Sequence, residues 1–199
     1  APVQRKGVQK PRYFADTMDV NQAILAQGYR TNCSYLDPDY YALLVANGIL
    51  GGFAHSKLFM NVREKASLAY FVGSGLEGSK GLLTITAGIS QEQEEQALQI
   101  IAEQVEALQS GEITPDELEQ TKRGIASAMT SITDSPVGIM NRNLLGLVEG
   151  ELRSLDQVVE AIGQVTAADC VRVMQNVQLD TTYILKRDEG KEGANDGNN

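Results

Sequence analysis

Residues 68–90, LAYFVGSGLEGSKGLLTITAGIS, decide the fold class. Two apolar runs, 68–76 and 82–90, flank Glu77, Gly78, Ser79, Lys80 and Gly81. Short runs joined by a glycine-bearing turn read as a β-hairpin. In the second run Leu83, Ile85, Ala87 and Ile89 fall on every second position, so one face of that strand is apolar.

Downstream the period changes from two to that of a helix. Ser90 with Gln93 reads as a capping box, followed by Glu92, Glu94 and Glu95 where a helix N-terminus favours negative charge. Ala97, Ile101, Val105 and Leu108 then form a helical stripe. Thr114, Pro115, Asp116 and Glu117 open a second helix that should run to about Thr133. Ser135-Pro136 opens a third, and Ser154 with Gln157 and Thr166 with Asp169 open two shorter ones. Upstream, 21–31 reads as a strand and 38–50 as a buried helix ended by a Gly51-Gly52 cap. Residues 56–66 read as a shorter helix and 181–187 as a last strand. Strands and helices are segregated, so the class is α+β: a mainly antiparallel sheet of four strands or slightly more, with helices packed on one face. No repeat is visible.

The ends carry no such pattern. Residues 1–18 read as a linker, 19–187 as one domain, and the Gly- and Asn-rich 188–199 as a disordered tail. Arg5, Lys6, Lys10 and Arg12 read as solvated charge in that linker. The net charge of −9 argues against nucleic acid and anionic membranes as partners. No apolar run approaches a membrane span and no signal peptide opens the chain, which suggests the cytoplasm. The two cysteines, Cys33 and Cys170, form no CxxC pair and read as buried free thiols, with a disulfide as the alternative.

Few residues offer chemistry. His55 is the single histidine, and neither HExxH nor HxxEH occurs, so no metal site is expected in this chain. Its plainer role is a bond to loop backbone near a helix start. No GxSxG elbow or P-loop is present. What remains is residues 51–72, GGFAHSKLFMNVREKASLAYFV, where Arg63 closes a helix and Tyr70 follows on the next strand. A guanidinium and a phenol can together hold a peptide carbonyl or the oxyanion formed from it. Alternatively, Arg63 belongs to an exposed charged helix end and Tyr70 is a half-buried strand residue.

The same stretch resembles the C-terminal-domain signature of the pitrilysin, insulinase and mitochondrial processing peptidase superfamily of zinc peptidases. It carries Gly51-Gly52, Ser56-Lys57-Leu58-Phe59, Arg63-Glu64-Lys65 and Leu68-Ala69-Tyr70 at that family's spacing over about twenty positions. The segment from His55 to Val62 is similar to a bacterial branch with many non-catalytic members paired to an active paralogue. The resemblance implies one α+β half of a two-lobed chamber. Zinc would sit in the N-terminal half or in a partner, and Arg63 and Tyr70 would contact the peptide substrate and transition state. It implies as partners the chain's own N-terminal domain or a paralogous peptidase subunit. The isolated chain is expected to be inactive, and the parent protein to be either a zinc endopeptidase or an inactive homologue.

Overall fold

The hairpin predicted from residues 68–90 sits at one side of a five-stranded sheet in the order β1-β5-β2-β4-β3. The computed structural model describes residues 7–188. Its strands are β1 (Arg12–Met18), β2 (Ala23–Arg30), β3 (Ala69–Glu77), β4 (Leu82–Ile89) and β5 (Gln178–Arg187). The β2–β4, β3–β4 and β2–β5 pairs are antiparallel, and β1 joins β5 in parallel. The helices are α1 (Tyr40–Asn47), α2 (Glu94–Ser110), α3 (Pro115–Ile132), α4 (Pro136–Glu149), α5 (Leu155–Gln164) and α6 (Ala167–Met174).

One face of the sheet is buried. Leu25 of β2, Ile184 of β5, and Leu83, Ile85, Ala87 and Ile89 of β4 lie at or near zero exposure. They pack with Leu43 of α1, Ile101 and Leu108 of α2, and Cys170 and Met174 of α6. The alternating positions Thr84 and Thr86 remain exposed, as helices on a single face require. Within the buried layer Tyr29 donates to Gln27 at 2.9 Å, and Gln27 donates to Thr182 at 3.3 Å. Cys33 and Cys170 are both buried as thiols. No helix among the described residues is long and apolar enough to cross a membrane.

Three local expectations are corrected. Residues 12–18, assigned to a linker, form β1. Its seven residues are all exposed, so it buries no apolar face and shows no hydrophobic period. Backbone pairing along Thr181–Arg187 and the Arg12–Asp180 ion pair at 2.8 Å hold it instead. Ser90 makes no capping box: its hydroxyl donates to the Gln93 side chain, and a 3₁₀ turn, Gln91–Gln93, precedes α2. Gly51 and Gly52 do not cap α1; the helix runs on through a π-helical turn, Gly48–Gly52, and ends at extended Phe53. Arg5, Lys6 and the tail beyond Asp188 lie outside the described residues.

Candidate functional site

The segment linking α1 to β3 is held on both sides. A Cβ on Gly51 would lie 2.6 Å from the Ser74 backbone nitrogen and 2.8 Å from Leu58 Cδ1, so glycine lets the helix end press against β3. Ser74 Oγ completes this contact by donating to the Asn47 carbonyl at 3.2 Å. On the other side, His55 Nε2 lies 3.0 Å from Thr121 Oγ1 of α3, and its ring stacks on Phe53 at 5.3 Å. His55 therefore locks the segment to α3 through a side chain, not through loop backbone as expected. Lys57 adds an ion pair to Glu117 at 2.9 Å, with both side chains largely covered.

From this clamp springs a second π-helix, Phe59–Lys65, which carries Arg63. Its wide turn closes through Ala66 N–H to the Asn61 carbonyl and Leu68 N–H to the Val62 carbonyl, with Ser67 in the left-handed region at φ 53. Such turns are uncommon and recur at functional sites. Arg63 is half exposed; its guanidinium stacks 4.8 Å from the Phe59 ring, with the Glu64 carboxylate 3.9 Å away. Neither contact occupies its donors with a short hydrogen bond, so the planar fork is available.

Tyr70 follows on β3, one of the two edge strands of the sheet. Ala69 pairs with Ile89 and Phe71 with Gly88, which leaves Tyr70 as the extra residue of a β-bulge. The bulge turns its ring outward: Tyr70 is 70% exposed. It lines a cavity of about 430 Å³ where β2 begins and β4 ends, with Asn21, Gln22, Ser90, Gln91 and Arg187 on the walls. Arg63 is not among the lining residues. The structure thus joins the two through one short connection but does not place them on one cavity wall. Sequence reasoning missed the cavity's amides and Arg187, because they converge from strand ends distant in sequence and no motif marks them.

These residues do not fit a zinc ion. Among the described residues no three His, Cys, Asp or Glu side chains come together as a metal site, and the imidazole of His55 is engaged by Thr121 and Phe53. The arrangement can offer hydrogen bonds to a peptide carbonyl or carboxylate, not metal ligation.

Comparisons with known proteins identify the family. The sequence profile described as "Peptidase M16 inactive domain" matches residues 1–125. The chain is 41% identical over 181 residues to "Probable inactive metalloprotease YmfF" of Bacillus subtilis (strain 168), covering 91% of this chain and 42% of that protein. It is 31% identical over 167 residues to "Uncharacterized zinc protease YmxG" of the same strain, covering 80% of this chain and 40% of the relative. The crystal structure of a conserved protein from Enterococcus faecalis V583 superposes with a TM-score of 0.88 at 29% identity, covering 94% of this chain and 45% of that one. The chain spans about two fifths of the length of these curated relatives.

Proposed function

Since the chain belongs to the peptidase M16 inactive-domain family, we propose that it is the C-terminal, non-metal half of a zinc-peptidase-like chamber and grips the peptide there. The chamber's other wall, and any zinc, belong to an N-terminal half or a paired subunit. Arg63 would hold a substrate carbonyl or carboxylate through its planar donors. The Tyr70 hydroxyl would donate to the oxygen on which negative charge develops. The observation that carries this reading is Tyr70 itself. A large aromatic is 70% exposed on a bulge, beside a polar cavity, and its hydroxyl has no hydrogen-bond partner among the described residues. A ligand supplied from a facing lobe would account for that placement.

A second reading is that the assembled protein binds peptide or docks a catalytic paralogue without cleaving. The relative that is 41% identical is itself called a probable inactive metalloprotease, and this favours it. One pair of variants tests both. In the assembled protein, Arg63→Ala and Tyr70→Phe should leave assembly and melting temperature unchanged. Turnover should fall about 10²–10³-fold if the protein is active; if it is not, peptide affinity should fall roughly tenfold, as loss of a charge-assisted contact implies. Full activity and affinity in both variants would remove these roles.

A further inference from the structure

Helices α1, α3, α4 and α5 enclose a second cavity, of about 390 Å³. Its walls include Tyr41 of α1, Met129 of α3, Arg142 and Leu145 of α4, Val158 of α5, and Tyr35 from the loop before α1. It shares no lining residue with the cavity beside Tyr70.

The walls are held apart. Tyr35 packs edge to face on Tyr40, and Tyr40 on Tyr41, with ring centres 5.2 and 5.7 Å apart. The Arg153 guanidinium lies 4.9 Å from the Tyr35 ring and 5.2 Å from the Tyr41 ring. It also donates twice to the Glu151 carboxylate, at 2.9 and 3.0 Å. On α4, the Ser135 hydroxyl accepts from Gly138 N–H at 3.1 Å, and Arg142 donates to the Arg153 carbonyl. These contacts keep the helices from closing together. Apolar walls that no side chain fills lose dispersion contacts, which a bound apolar molecule restores.

The chemistry of the walls selects the ligand. Aromatic and aliphatic side chains dominate them, so the ligand's body is apolar. An apolar cavity of ~150 Å³ takes one benzene ring, so this one has room for a body of about eight to ten carbons. The head group is negative. Arg142 has no carboxylate partner among the described residues, and its hydrogen bond to the Arg153 carbonyl leaves further guanidinium donors for a ligand. Burial, then Tyr41, raises the Tyr35 phenol, while the Arg153 and Arg142 charges pull it back, so positive potential reaches this wall. The buried Tyr41 hydroxyl completes no hydrogen bond among the described residues, although the Arg153 guanidinium approaches it.

Two other ligand classes fit less well. Tyrosine rings attract cations, but Arg153 already covers Tyr35 and Tyr41, and Arg142 would repel a second cation. A phosphate or other multiply charged anion needs more than one unpaired cation, and Glu151 neutralises Arg153. We propose that this cavity binds a small monocarboxylate with an apolar body, its carboxylate on Arg142 and its body between α1, α3 and α5. The site is separate from Arg63 and Tyr70 and does not depend on their roles.

Octanoate is the probe and octanamide its uncharged counterpart. Each is titrated into the 199-residue chain while NMR records the amide chemical shifts. Octanoate should shift Tyr35, Tyr41, Met129 and Leu145 saturably, with a Kd below ~1 mM, a modest yield for a ligand of about ten heavy atoms. Octanamide should bind about tenfold more weakly, the worth of one charge-assisted hydrogen bond. Arg142→Gln should weaken octanoate by about the same factor and leave octanamide unchanged. Leu145 is 45% exposed, so Leu145→Trp has room to turn its ring into the cavity. It should abolish binding of both probes without lowering the melting temperature. The proposal is overturned by the lack of a saturable shift, by shifts centred away from these four residues, or by equal affinity for the two probes. Full octanoate affinity in folded Leu145→Trp overturns it too. Should that variant not fold, the unmutated chain and Arg142→Gln still decide the question.

Discussion

Gly51 and Tyr70 are informative residues for opposite reasons. Gly51 is fixed by what it excludes: any side chain there meets β3 backbone at Ser74, which cannot swing away as a flexible side chain could. Gly51→Ala should therefore cost about 1–3 kcal/mol, the usual range for overpacking, measured from the denaturant midpoint at unchanged m-value. A loss below about 0.5 kcal/mol, ordinary for a surface change, would mean that the helix end can back away from the strand. Tyr70 has no side-chain hydrogen-bond partner among the described residues and is 70% exposed. Its identity could be read as a candidate from the sequence, but its exposure could not, because a bulge inserts a residue without changing the residue types around it. His55 shows the same limit. The absence of ligand spacing argued against a metal role, yet its partner Thr121 lies 66 positions away and no local pattern names it.

Helix starts were legible where the signal is local. Thr114–Glu117, Ser154–Gln157 and Thr166–Asp169 all close as reciprocal capping boxes. Ser90–Gln93 does not, although its residue types suit the motif. Tertiary contacts bind the next residue: Glu94 accepts from Tyr13 of β1 at 2.5 Å and pairs with Lys186 of β5 at 2.7 Å. The Thr166 box carries a pH signature. Hydrogen bonds from the Thr166 hydroxyl, then Arg172, then the Thr166 backbone N–H hold the Asp169 carboxyl down at about 2. Its unfolded value is near ~3.9, so the stabilisation is complete above that pH and is lost as pH falls through about 2. Asp169→Asn should cost up to about 1 kcal/mol near neutrality, a figure limited by the solvent around this partly exposed side chain. The gap between parent and variant should narrow in melts between about pH 4 and pH 2. A gap that stays constant across that range would show that the charge contributes nothing.

At the scale of the whole molecule, the sheet buries one face under helices and holds its exposed edge strand β3 and Tyr70 at the opposite side from β1. Among the described residues no ligand group is assembled that would bind zinc selectively in the isolated chain. After dialysis it should retain far less than one zinc per chain, show no chelator-sensitive peptidase activity, and melt at the same temperature with and without chelator. A metal bound to the folded state would raise that midpoint by mass action, so a chelator-induced fall would overturn this expectation. The α+β class, the hairpin, the helix starts at Thr114, Ser154 and Thr166, and the resemblance carried by residues 51–72 are all legible in the chain alone. Those features rest on local periodicity, end signals and spacing, which are properties of neighbouring residues. Folding in three dimensions adds that residues 12–18 are a strand, that two helical segments widen to π geometry, that Tyr70 faces out over a polar cavity, and that α4 presents its leucines to solvent. Each of these follows from contact, or its absence, between segments far apart in the chain, and a one-dimensional pattern does not record which segments meet.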